Sequence, residues 1–295
     1  MENKRGHMGK TVIFESKDDH DLFLKDYNSP SLTKKIFSNW MYQGKYNTLS
    51  IKFKENIINE LLKKDFITEN KFSNYNFELE KLHLCLKSEL KNLDESEQNE
   101  ISISFYETSN IIKKSYVEFI KKVVSPLFSE NIYYQIVPTF RFHFPNQKGY
   151  HWEDRYHSDI MLGHPPFEFN LWIPFTKVYS TNSMRLMPYK ESIKLMEFCN
   201  NDFELFAKKT QYDENFRNKL KQESSPLDMN YGDFIIFDPR CLHCTQYNDT
   251  KDTRVSMDIR IIMESAFSNY SREYKTTGRK KMPFLPGHYF SEKAV

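Results

Sequence analysis

Arg254-Val255-Ser256-Met257-Asp258-Ile259-Arg260-Ile261-Ile262 alternates polar and apolar side chains until its last residue. Successive side chains of a strand point to opposite faces. Val255, Met257, Ile259 and Ile261 therefore share one face, and Arg254, Ser256, Asp258 and Arg260 the other. The apolar face suits a core. The polar face either lies in water or is committed to something charged. Further stretches read as strands: 133–144, 150–159, 167–175, 184–187, 233–237 and 243–247. They are rich in aromatic and β-branched residues. Pro165-Pro166, Tyr231-Gly232-Asp233 and Asn248-Asp249 supply turns between them.

The first part of the chain is different. Apolar residues recur at three- and four-residue spacing over 18–27, 32–42, 51–66 and 77–93, and a helix of about twenty residues is expected over 106–124. Ser125-Pro126 ends it. Residues 191–222 are charged and helix-like, an insertion among strands. Helices first and short strands afterwards predict a mainly β protein with flanking α. The expected core is a double-stranded β-helix, jelly-roll or cupin-like, with a helical N-terminal layer. Residues 1–10, with Gly6-His7-Met8 reading as an expression scar, are set aside as disordered or foreign. Residues 11–131 are expected to pack on the core, and 132–264 to form it, with the insertion at about 190–223. Residues 265–295 make a C-terminal tail.

Composition excludes several classes of partner. Forty-two basic residues face 40 acidic ones, a net charge of +2, so no global attraction to nucleic acid or acidic membranes follows. The pairs Lys113-Lys114 and Lys121-Lys122 read as a solvated helix face. No stretch approaches ~18 apolar residues, which argues against a membrane span. Cys85, Cys199, Cys241 and Cys244 lack the density of a secreted disulfide scaffold. A cytoplasmic protein acting on a small molecule is expected.

The chemistry starts at His157-Ser158-Asp159. On a strand, residues two apart face the same way, so an imidazole and a carboxylate can converge on one metal. Two histidines and one carboxylate with open positions form the donor set of non-haem iron(II) oxygenases. His243, past a Gly-Asp turn and an apolar strand, is the candidate third ligand. Alone, a His-x-Asp is weak: a histidine near a strand end is commonly a rim residue, and the Asp a cap. The strand at 254–262 strengthens it. 2-Oxoglutarate binds iron through its keto acid end and leaves a distant carboxylate. A guanidinium fork beside a hydroxyl suits that carboxylate, and Arg254 with Ser256 provides both. Arg260 is the second candidate for that role.

His157-x-Asp159, His243 and Arg254 with Ser256 behind it together resemble the iron(II)/2-oxoglutarate-dependent dioxygenases, in their phytanoyl-CoA dioxygenase-like branch. His164, Phe169-Asn170-Leu171-Trp172-Ile173-Pro174-Phe175, Thr181-Asn182-Ser183, Gly232-Asp233-Phe234 and Asn248-Asp249-Thr250 are similar to a group tied to aminoglycoside and sugar biosynthesis. The resemblance covers about 133–263. It implies iron(II), 2-oxoglutarate and O2 as cofactors, with succinate and carbon dioxide as coproducts. Hydroxylation is the default outcome; desaturation, ring closure and epimerisation draw on the same chemistry. Halogenation would need a vacancy where Asp159 stands.

Other residues carry two readings each. His151-Trp152-Glu153 is a second His-x-carboxylate pair; His157 and Asp159 are preferred to it, and Glu153 or His151 is then expected to line the pocket entrance. Asn170 is either a cosubstrate contact or a structural amide. His164 is either a substrate contact or a cap before Pro165-Pro166. Arg141 is a candidate for an anionic or polyol substrate. Cys241-Leu242-His243-Cys244 lacks the second ligand pair that zinc binding needs, so its cysteines read as small packing residues. Neither a P-loop nor a nucleophile elbow is present. The alternatives to an oxygenase are a cupin-like metalloenzyme such as an isomerase, or a non-catalytic binding module. Residues 11–131 could cover the barrel, cap its pocket or form an oligomer face.

Overall fold

The structure, a computed structural model, describes residues 11–87, 99–146, 155–270, 276–277 and 284–295. Its strands are β1 (Ile13–Phe14), β2 (Met41–Lys45), β3 (Ile132–Tyr134), β4 (Thr139–His143), β5 (Glu168–Pro174), β6 (Met184–Leu186), β7 (Ser225–Pro226), β8 (Asp233–Phe237), β9 (His243–Thr245), β10 (Arg254–Met263) and β11 (Thr276–Thr277). One sheet runs β2-β8-β5-β10-β3, with β4 also on β10, and a second runs β7-β6-β9. β1 pairs with β11. All named pairings are antiparallel. The two larger sheets make an open jelly roll, not a closed barrel.

β10 is the longest strand because it serves three partners. On one side it pairs with β5 from Ser256↔Pro174 to Ile262↔Glu168. On the other it pairs first with β4 and then with β3. The alternation read from sequence sorts its side chains. Val255, Met257, Ile259 and Ile261 are buried in one large core cluster with Phe140, Phe142, Leu171 and Ile236. The helices Phe53–Lys63 and Asn110–Phe119 cover that outer face: Phe119 sits 5.8 Å from Phe53 and 5.5 Å from Phe234, both edge-on. Each such side chain contributes about 1.5–3 kcal/mol by leaving water. Between the two sheets, Trp172, Ile235 and Phe237 meet Met184, Leu186 and Val178.

The insertion folds as three helices, Tyr189–Phe198, Phe203–Tyr212 and Glu214–Glu223. Asp202 and Asp213 cap the second and third, accepting from the N–H of Leu205 and Phe216. Their apolar faces pack with Phe23 and Tyr27 of the helix Lys17–Tyr27.

Four expectations change. The helix expected over 32–42 stops at Phe37, because Ser38 turns left-handed with φ 57°, and Met41–Lys45 becomes an edge strand on β8. A Cβ on its Gly44 would lie 2.4 Å from the Phe234 ring, so the close approach needs glycine. The strand expected over 133–144 is two strands, divided around Pro138, whose nitrogen has no proton to donate. Of 150–159, residues 150–154 lie outside the described residues; His157 makes a single bridge, and Asp159 opens the 3-10 turn Asp159–Leu162. The segment expected over 77–93 forms only short turns, Leu79–Lys81 and Leu82–Cys85, with 88–98 outside the described residues. The end of the chain returns to the core, where Val295 and Ile132 exchange backbone hydrogen bonds of 2.9 Å and Phe290 is fully buried. Among the described residues, no helix is long and apolar enough to cross a membrane.

Candidate metal centre

The backbones of His157 and His243 exchange two hydrogen bonds, N–H to carbonyl, of 3.1 and 2.9 Å. This bridge sets the imidazoles side by side, with ring centroids 4.5 Å apart. Each ring is oriented by the carbonyl two residues earlier: His157 Nδ1 lies 3.0 Å from the Arg155 oxygen, and His243 Nδ1 lies 3.0 Å from the Cys241 oxygen. A carbonyl only accepts, so Nδ1 carries the proton and Nε2 presents its lone pair. Asp159 reaches the same point from its 3-10 turn, not from a strand. Donor atoms of His157, Asp159 and His243 all lie within 4.8 Å of one another.

Asp159 is completely buried. Its Oδ2 accepts from Arg260 Nε at 2.9 Å and Nη2 at 2.6 Å. Its Oδ1 has no hydrogen-bond partner and lies 3.9 Å from His243 Nε2. Burial by itself pushes the carboxyl pKa up. The Arg260 guanidinium, the largest opposing cause, holds the group far below the usual carboxylate range. The cluster is thus two imidazoles offering Nε2 and one ionised carboxylate with an unsatisfied oxygen. That donor set fits a divalent first-row metal.

A partly enclosed cavity of about 560 Å3, its mouth included, opens beside the cluster. The inward face of β10 lines it with Arg254, Asp258 and Arg260; β5 adds Asn170 and Trp172, β4 adds Arg141, and β9 adds Thr245. Arg254 is 1% exposed and extends Nη1 to the Asn182 carbonyl at 3.3 Å and Nη2 to the Thr245 hydroxyl at 3.5 Å. Both amide atoms of Asn170 and the hydroxyl of Ser256 are buried without hydrogen-bond partners. Buried polar atoms are rarely left so, and a cluster of them beside a cavity marks a place where a polar ligand belongs.

The structure brings His157, His243, Arg254, Asn170 and Arg141 to one cavity; Asp159 is buried behind it, clustered with the two histidines, and Ser256 stands between Arg254 and Asp258 on the same strand face. Arg141 donates through Nε to Asp258 Oδ2. Arg260 is bound to Asp159. His164 stands apart from the cavity lining: its Nδ1 is 2.8 Å from Glu168, and its ring lies 4.5 Å from Phe284. Glu153 and His151 lie outside the described residues. Sequence reasoning missed Asp258 as a cavity residue, although strict alternation put it on the polar face. It also missed Thr245, for which no local signal exists, and it gave Asn182, quoted in a motif, no contact with Arg254. All four cysteines are thiols, none in a disulfide, and among the described residues the His-Asp-His cluster is the one group with metal-ligand geometry.

The model of the phytanoyl-CoA dioxygenase (PhyH) family matches residues 68–256, more than half of the chain. The chain belongs to the phytanoyl-CoA dioxygenase family. The match reaches back into the helical region, further than the motifs read at 133–263. PhyH membership brings iron(II), 2-oxoglutarate and O2 as cofactors, and the His-Asp-His cluster fits the metal. This PhyH protein is 25% identical over 187 residues to the streptomycin biosynthesis protein StrG of Streptomyces griseus, covering 63% of this chain and 72% of that protein. Among solved structures it is similar to the non-heme alpha ketoglutarate dependent carbocyclase SnoK from nogalamycin biosynthesis, at 10% identity and TM-score 0.46, covering 89% of this chain and 96% of that one. It is also similar to the epimerase SnoN from the same biosynthesis, at 11% identity and TM-score 0.38, covering 82% and 91%.

Proposed function

We propose that this enzyme hydroxylates a polar small molecule of sugar or amino-sugar type, turning 2-oxoglutarate into succinate and carbon dioxide. The observation that carries the reading is the joint arrangement of two parts: a cluster of three metal donors, two of them lining the cavity, and a buried arginine that lines it together with Asn170, whose amide atoms lack partners. Bound iron(II), with 2-oxoglutarate and O2, supplies the oxidising power for a substrate C–H bond. The protein's own residues do the rest. Nε2 of His157 and His243 and a carboxylate oxygen of Asp159 hold the metal. Arg254 and the Ser256 hydroxyl hold the far carboxylate of 2-oxoglutarate by charge-assisted hydrogen bonds. The Asn170 amide, whose donor and acceptor both lack partners, takes a further cosubstrate or substrate oxygen.

Trp172, Met184 and Phe237 line the cavity with apolar surface and limit water around the reacting bond. Arg141 and Asp258 offer a cation and an anion to a polyol or amino-sugar. The match to a protein of streptomycin biosynthesis supports that substrate class. Four buried thiols support a reducing, cytoplasmic compartment.

The test is made with purified protein loaded anaerobically with iron(II) and 2-oxoglutarate. On admission of O2, succinate should form in the wild type and not in Asp159→Ala. An isomerase on the same scaffold would convert substrate with no succinate. A binding module would keep its ligand affinity in Asp159→Ala. Either result replaces the oxygenase reading.

A further inference from the structure

Arg260 lines the cavity, yet its guanidinium is spent on a protein carboxylate. Taking the oxygenase reading as given, we propose that Arg260 is a positioning residue that makes Asp159 bind the metal through one oxygen alone. Both of its hydrogen bonds fall on the same atom: Nε reaches Oδ2 at 2.9 Å and Nη2 reaches it at 2.6 Å. Oδ1 is left without a hydrogen bond, 3.9 Å from Nε2 of His243. With Asp159 fully buried, water does not compete for either oxygen.

The fork is held on rigid backbone. Arg260 sits inside β10, opposite Asn170 of β5, and its carbonyl accepts from Gln135 at 2.8 Å. The carboxylate it grips is fixed by the turn Asp159–Leu162, whose first carbonyl accepts from Gly163. A site held by sheet strands keeps its geometry better than one held by loops.

The consequence is chemical. A carboxylate can bind a metal through one oxygen or chelate it through both. In a set of two imidazoles and one carboxylate, chelation would use up one of the open positions that a 2-oxo acid and O2 need. To chelate, Asp159 would have to withdraw Oδ2 from two charge-assisted hydrogen bonds inside a buried site. Arg260 thus protects the vacancy on which the cofactor set depends. Outer partners of metal ligands commonly matter by 10–100-fold, roughly, in affinity or activity.

Two measurements test this without turnover. In the wild type, infrared difference spectra with and without metal, on protein carrying 13C-aspartate, should show the wide carboxylate splitting of one-oxygen binding. A narrow, chelate-type splitting overturns the proposal, and this readout needs no variant to fold. The second measurement follows the visible charge-transfer band that iron(II) gives when a 2-oxo acid chelates it. Arg260→Lys keeps the charge and loses the fork; Arg260→Met loses both. Folded Lys variant should bind 2-oxoglutarate about tenfold more weakly with a displaced band, and Met more weakly still. A folded variant with wild-type affinity and band overturns the proposal: Arg260 would then merely balance charge. If the Met variant does not fold, the Lys variant decides. Wild-type protein with no band at all removes the oxygenase reading instead.

Discussion

Replacing Arg254 by Met should weaken 2-oxoglutarate binding to the iron-loaded protein by about 30-fold to a few thousand-fold. The range follows from where Arg254 lies. It is 1% exposed, and Ser256 beside it is fully buried, so a carboxylate brought against them is stripped of water. Removing one partner from a buried, hydrogen-bonded charge pair costs ~2–5 kcal/mol. Each ~1.4 kcal/mol is a factor of ten in affinity. Arg254→Lys keeps the charge without the planar fork and should fall between wild type and Met. Ser256→Ala removes one hydrogen bond, about 0.5–1.5 kcal/mol, and should cost roughly two- to tenfold. The assay is an anaerobic titration followed by the charge-transfer band. Pyruvate supplies the control: it is a 2-oxo acid with no second carboxylate, so it should bind wild type and Arg254→Met alike. Unchanged 2-oxoglutarate affinity in a folded, metal-binding Arg254→Met protein would refute the assignment. Equal losses for pyruvate and 2-oxoglutarate would also refute it, because the damage would then lie at the metal end.

Two further outcomes concern the scaffold. Asp238→Ala should destabilise the fold by ~3–5 kcal/mol in urea unfolding. Asp238 and Arg240 are each 1% exposed and paired at 2.8 Å, and Arg240 also ties the Tyr27 and Ser29 carbonyls, so its charge would be left buried. The second outcome is a pH dependence. Burial first, and Arg254 second, hold the His143 imidazole well below its ordinary pKa. The unfolded chain therefore takes up a proton that the folded chain refuses. Stability is intact above about pH 6.5 and falls below it by ~1.4 kcal/mol per pH unit, until the folded pKa is reached. His143→Asn should lose this slope in urea midpoints taken from about pH 7 to pH 5, and parallel curves for the two proteins would exclude it.

The parts legible in the sequence are those set by local geometry. Side chains alternate across any strand, so the run from Arg254 to Ile262 revealed its buried face and its polar face before any partner was known. The helices over Lys17–Tyr27 and Phe53–Lys63 follow from apolar spacing, while the insertion was legible only as a charged, helix-like stretch and not as three helices. His157, Asp159, His243 and Arg254 stood out only in combination: a His-x-Asp alone is weak, and the polar face of the strand at 254–262 and the family resemblance strengthened it. Local geometry did not reveal how they meet. Asp159 was read as a strand neighbour of His157, yet it enters from a 3-10 turn, and a backbone bridge to His243 sets the pair. The strand Met41–Lys45 exists only because β8 offers it an edge. Whether Arg254 or Arg260 faces the cavity's ligand could not be read from alternation, which gives both the same face. In the tertiary structure Arg260 donates to the buried Asp159 carboxylate, which supports the proposal that Arg254 is the one that holds the ligand. Alternation and capping act between neighbours in the chain and are written in it; the meeting of distant polar groups depends on which of them the folded backbone leaves without water.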